Sequence, residues 1–69
     1  MADEQQRRLY NFCISRGWNE PQYSTMFTKP TFRSTVLVQG QSFSGLRSDS
    51  EEGAREDAAR NACFQLGVS

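Results

Sequence analysis

The apolar positions change their spacing along the chain, and each change marks an element. Leu9, Phe12, Cys13 and Arg16 fall at i, i+3, i+4 and i+7, the spacing of one helical face, in a segment running from about Asp3 to Arg16. Asp3 and Glu4 stand early in that segment and Arg16 late, the charge order a helix macrodipole favours. Gly17 ends the helix. In the left-handed conformation after the last turn, it lets Trp18 fold back onto Cys13.

The next stretches read as extended chain. Asn19-Glu20-Pro21 forms a turn, and Gln22 to Phe27 forms a first strand. Thr28-Lys29-Pro30 breaks it. From Phe32 to Val38 the pattern alternates, with Phe32, Val36 and Val38 on one face and Arg33, Thr35 and Leu37 on the other. Gln39-Gly40-Gln41 supplies a hairpin turn, and Ser42 to Leu46 forms a short third strand anchored inward by Phe43. Three such strands make an antiparallel meander. After a link from Gly45 to Ser50, Ala54, Ala58, Ala62 and Leu66 form the stripe of a last helix, with Ala59 and Cys63 beside it. Either Ser50 or Ser48 can cap this helix. Ser48 with Glu51 three residues on fits the reciprocal capping box and is the expected cap.

Composition narrows this pattern to one small α+β domain. A chain of 69 residues supplies a single core, and 36% hydrophobic residues, with five Phe, two Tyr and one Trp, are enough to fill it. The domain is expected over residues 3–67, with flexible termini at 1–2 and 68–69, the C-terminal Gly67-Val68-Ser69 reading as a linker or truncation. No apolar run approaches the roughly 20 residues of a membrane span, and the N-terminus lacks the order of a signal peptide. An intracellular, soluble protein with no membrane partner is expected.

Eight basic and eight acidic residues balance, so attraction to any polyanion must be local. Cys13 and Cys63, with no His in the chain, make neither a zinc site nor a disulfide scaffold, and are expected as buried thiols. Catalysis has no visible machinery: there is no His base, phosphate-binding Gly-rich loop or metal-spaced Cys pair. Glu51-Glu52 and Glu56-Asp57 are neighbours that diverge by about 100° on a helix, so neither pair converges on a substrate, and both read as a solvated acidic face. A non-enzymatic protein without cofactor, metal or small-molecule substrate is expected.

The order helix, three strands, helix, together with Pro21-x-Tyr23, Phe32-x-x-x-Val36-x-Val38-x-Gly40, Phe43-x-Gly45, Ser50-x-x-x-Ala54 and Ala58-Ala59-x-x-Ala62, resembles the double-stranded-RNA-binding domain over nearly the whole chain. The resemblance implies two helices packed on one face of the sheet. Tyr23, Phe32, Val36, Val38 and Phe43 would then meet Leu9, Phe12, Ala58, Ala62 and Leu66 in the core. It also implies RNA contacts from the first helix, the loop between the first two strands and the start of the second helix, which together span two minor grooves of a duplex. The candidates are Gln5, Gln6 and Arg8 in the first region, Lys29 and Arg33 in the second, and Arg47 and Arg55 in the third. Each is equally the polar surface that any such domain carries.

The sequence departs from the family in two of those regions. The family's Lys-Lys-x-Ala-Lys segment falls on Glu51-Glu52-Gly53-Ala54-Arg55, placing two anions where phosphate-binding cations belong. The two glutamates suit a first helical turn by about 0.3–1 kcal/mol, yet they repel phosphate. The family's Gly-Pro-x-His loop corresponds only to Thr28-Lys29-Pro30-Thr31, short and without His. The expected function is an interaction module with weak or degenerate duplex-RNA binding and a protein partner. Two alternatives stand beside it: genuine shape-selective binding of double-stranded RNA through helix 1, the 28–31 loop and the start of helix 2, and homodimerisation through the edge of the third strand.

Overall fold

The computed structural model describes residues 3–68 and orders them as α1 (Glu4–Ser15), β1 (Gln22–Thr28), β2 (Thr31–Val38), β3 (Gln41–Ser44) and α2 (Glu51–Leu66). The α-β-β-β-α order and the antiparallel sheet, β1-β2-β3, are as predicted.

Both helices end by the same device. Gly17 (φ 75°) and Gly67 (φ 73°) are left-handed, and in both cases the next residue's amide reaches back to a carbonyl of the last helical turn: Trp18 N–H to Cys13 O at 2.9 Å, Val68 N–H to Cys63 O at 2.9 Å. Each stop turns an apolar side chain onto the core. Trp18 settles edge-on against Phe12, with ring centroids 5.7 Å apart, while the Arg16 guanidinium covers the same Phe12 ring at 4.4 Å. Arg16 thus belongs to the surface end of its stripe. Val68, expected within a flexible terminus, is half-buried against the core; the expectation for residues 1, 2 and 69 lies outside the described residues.

Two-residue turns join the strands. Gln39 (φ 50°) and Gly40 (φ 80°) both take positive φ, the geometry whose twist matches that of the flanking strands. The register sets Tyr23, Val36 and Phe43 side by side across the sheet. Val36 and Val38 point inward and are buried with Leu9 and Cys13 of α1 and Ala58, Ala59, Ala62 and Cys63 of α2. Tyr23, Phe43 and Leu66 pack against this cluster half-buried. Helix α2 lies on the strands, and α1 lies beside it, chiefly against α2. The alanine stripe makes this close approach possible: a Cβ at Gly45 would stand 2.5 Å from the Ala58 backbone nitrogen. Strand β3 ends at Ser44, earlier than expected, and Leu46 swings out to 77% exposure.

Two further expectations are corrected. Phe32 lies on the inward face of β2 but outside the buried cluster; it stacks on Phe27, with centroids 4.7 Å apart, at the end of the sheet. Phe12 likewise is half-buried beneath Arg16 rather than enclosed. The cap of α2 is Ser50, whose Oγ accepts from Gly53 N–H at 3.0 Å. Ser48 stands two residues before the cap, its backbone held extended against β2 by hydrogen bonds with Phe32 at 2.7 and 2.9 Å, and its Oγ accepts from Ser50 N–H at 3.4 Å. Ser34 is the buried polar residue of β2, and its hydroxyl bonds to Ser24 O at 3.3 Å and Thr25 Oγ1 at 3.1 Å.

Candidate nucleic-acid interface

The N-terminal turns of α1 and α2 lie together, and they are joined by carboxylates. Glu56, one turn into α2, accepts from the backbone amides of Gln5 and Gln6, so an acidic side chain from the second helix caps the first. Its carboxylate also accepts from Gln6 Nε2 at 3.3 Å, and Glu52 accepts from the same amide at 3.2 Å. Gln6 is therefore turned toward α2 and committed there.

Arg55 is the cation that the resemblance leaves in this region. Its guanidinium lies 3.4 Å from Glu51 and 3.0 Å from Glu52, with only 29% of the side chain exposed. Glu51 and Glu52 both hold it, two carboxylates to one guanidinium. Ser50 occupies the Gly53 amide at the start of α2 and Glu56 the Gln5 and Gln6 amides at the start of α1, and acidic side chains, which repel phosphate, stand at both helix starts. Arg8 pairs with Glu4 at 3.6 Å on the exposed side of α1.

The remaining candidates stand elsewhere. Lys29 is exposed in the β1–β2 turn. Arg33 projects from the face of β2 away from the helices, where its Nε donates to Gly45 O at 3.2 Å, and Arg47 borders the same face. The structure thus gathers Gln5, Gln6 and Arg55 with Glu51 and Glu52, and sets Arg33 and Arg47 on a separate surface.

Glu56 and Asp57 correct the sequence reading of a solvated acidic face. Glu56 caps α1, and Asp57 accepts from Leu46 N–H at 2.9 Å and from Arg60 at 2.6 Å, tying α2 to the chain leaving β3. A signal for Glu56 existed: it lies one turn from Glu52 and beside the buried alanine stripe. Its partner is fifty residues away in sequence and was not readable. Asn61 Nδ2 donates to Ser44 O at 2.8 Å, so α2 occupies an acceptor at the end of the β3 edge.

Burial governs the titratable core. It raises both thiols, Cys13 and Cys63, above the usual cysteine range; the two are free. Tyr23 is pushed well above the ordinary tyrosine range, first by burial and then by the neighbouring Cys63 and Glu56. Its hydroxyl has no hydrogen-bond partner among the described residues. Among the described residues no helix is long and apolar enough to cross a membrane, and no cluster of His, Cys, Asp or Glu could hold a metal.

No family model and no curated protein matches the sequence. Solved structures do. A variant of the double-stranded-RNA-binding domain of human tRNA-dihydrouridine(20) synthase superposes with a TM-score of 0.89 at 24% identity, covering 94% of this chain and 72% of that one. A structure of Arabidopsis HYL1 gives 0.87 at 24% identity, covering 91% and 96%. A second structure, the first such domain of HYL1, gives 0.79 at 25%, covering 87% and 92%. The element order, the alanine-lined helix on the sheet and these superpositions agree: the chain has the fold of a double-stranded-RNA-binding domain.

Proposed function

We propose that this chain is a non-catalytic interaction module of the double-stranded-RNA-binding type, with weak affinity for duplex RNA and a protein as its working partner. The observation that carries the reading is the clamping of Arg55 between Glu51 and Glu52, where the fold's basic segment would stand. Affinity for duplex RNA rests on neutralised phosphates and released counterions. A cation already paired with two carboxylates releases little, and the unpaired charge beside it repels.

The test is an NMR titration with an RNA duplex of about 16 to 20 base pairs, the site length of such domains, at low salt. The amides of Gln5, Lys29 and Arg55 should stay nearly unmoved at micromolar duplex. Salt-sensitive, saturable shifts at all three would overturn the reading in favour of shape-selective RNA binding.

A further inference from the structure

Charge is segregated between the two layers of the molecule. Residues 21–48 contain no Asp or Glu and carry Lys29, Arg33 and Arg47, a charge of +3; all eight acids and the other five Arg lie outside this stretch, a charge of −3. The acid-free stretch is the sheet. Its solvent face is floored with hydroxyls, and a groove of about 640 Å³ crosses it between Ser24, Met26, Thr35, Ser44, Arg33 and Arg47.

A second cleft, of about 450 Å³, adjoins this groove at the β3 edge, with Arg33 and Ser44 lining both. It runs over Gly45 to Leu46, Phe64 and Arg60. The three most exposed large apolar side chains among the described residues are Phe64 at 82%, Leu46 at 77% and Met26 at 70%, and all three line this joined groove. Its one carboxylate, Asp57, is taken up by Arg60 and the Leu46 amide. Arg33 and Arg47 make no ion pair among the described residues.

Clustered exposed apolar side chains rimmed by unpaired cations mark a docking surface. We infer that this groove binds an acidic protein segment with apolar anchors: carboxylates meet Arg33 and Arg47, and a leucine or phenylalanine enters between Leu46 and Phe64. The inference deepens the reading of a protein-binding module and rests on it. Charge alone would also admit nucleic acid, but duplex RNA presents no apolar group to Met26, Leu46 and Phe64. A single strand needs successive aromatic platforms, and Phe64 is the one aromatic lining residue.

The experiment titrates the whole chain with three probes: a short labelled peptide alternating Glu with Leu and Phe, the same peptide with Lys for Glu, and an RNA duplex. The acidic peptide should bind and shift the amides of Met26, Thr35, Ser44, Leu46 and Phe64, with Gln5 and Arg55 unmoved. Arg47→Glu and Phe64→Ser, both at exposed positions, should melt as the parent does and each weaken that peptide about fivefold. Equal binding of the lysine peptide, or shifts confined to the helix side, would overturn the inference. So would duplex binding on this face that Arg47→Glu abolishes. Silence of peptide and duplex together would sink this surface but leave the protein-binding reading standing; tight binding of duplex at Gln5 and Arg55 would sink that reading itself.

Discussion

The helix layer and the outer sheet face of this domain use charge in opposite ways. Where α1 and α2 begin, nearly every charged group is spent internally: Glu56 caps α1, Glu51 and Glu52 hold Arg55, and Gln6 bridges between the helices. On the sheet face Arg33 and Arg47 have no anionic partner among the described residues, and apolar side chains stand in water beside them. One surface is satisfied by its own chain, the other is left for something else. A charged residue's place in the fold, more than its identity, decides whether it is available to a ligand.

The deepest contrast between the two layers is in stability. Leu9→Ala removes a fully buried side chain from the cluster beneath the helices and should cost about 2–5 kcal/mol, comparable to the whole stability of a domain this small. Leu37→Ser on the outer sheet face should cost about 0.5 kcal/mol or less, because the side chain is 45% exposed. Thermal melts of the two variants decide this. Equal losses would mean that the sheet face is a structural surface after all. Val36→Ala should resemble Leu9→Ala, whereas Phe32→Ala, at the end of the sheet, should be milder.

Next in size is the charge of the helix layer itself. Glu51→Lys with Glu52→Lys changes the local charge by +4, two units at each position, and frees Arg55. Duplex-RNA binding should appear at low salt, with the logarithm of affinity falling against the logarithm of salt by up to about 0.9 per new phosphate contact. Binding isotherms of parent and double variant at two salt concentrations check this. A folded double variant that still ignores RNA would locate the loss beyond those two residues, for instance in the short Lys29-Pro30 turn.

A smaller effect separates the capping role of Glu56 from its surface charge. Glu56→Gln keeps the shape but weakens the cap and the dipole partner of α1, at a cost of about 1 kcal/mol. Glu20→Gln, on an exposed loop with no such role, should change little. Hydrogen exchange at Gln5 and Gln6 should rise in the first variant alone; unchanged exchange there would mean that Glu56 does not hold α1.

The smallest expected effect is on pH dependence. Burial raises Cys13 and Cys63 above the ordinary value of 9.0, so the folded state favours the neutral thiols. Their contribution to stability is fully present below the unfolded-state value and is lost as pH rises through the folded-state one. Melting temperature should therefore hold through neutral pH and fall in the alkaline range above about 9, the more so as Tyr23 is raised too. Native thiol labelling should be slow for both cysteines. Rapid labelling of either one would move it from core to surface.

Much of the fold was legible because the signals that specify it are local. Leu9 and Cys13 are one turn apart, Gly17 and Gly40 stand where a positive φ is required, and Val36 and Val38 share a face by alternation. The reading failed where a local pattern competed with a distant partner. Ser48 and Glu51 have the spacing of a capping box, but the Ser48 backbone is bonded to Phe32 and the cap passes to Ser50. Leu46 has the look of a strand end, but the strand closes at Ser44: Gly45, whose missing Cβ lets α2 approach at Ala58, keeps one bond to Ser34 O, and Leu46 is 77% exposed.

The candidate site divides along the same line. The replacement of basic residues by Glu51 and Glu52 is written in the sequence, and so is the poverty of the 28–31 loop. That Arg55 is held by both glutamates follows almost directly, since residues three and four apart meet on a helix. That Glu56 caps α1 follows only from the packing of the helices, which brings together groups separated by fifty-one residues. The joining of Met26, Leu46 and Phe64 into one groove with Arg33 is likewise a product of tertiary structure. Periodicity and turn chemistry act over a few residues and are carried by the sequence itself; the partners of a side chain are chosen by which elements the core brings face to face.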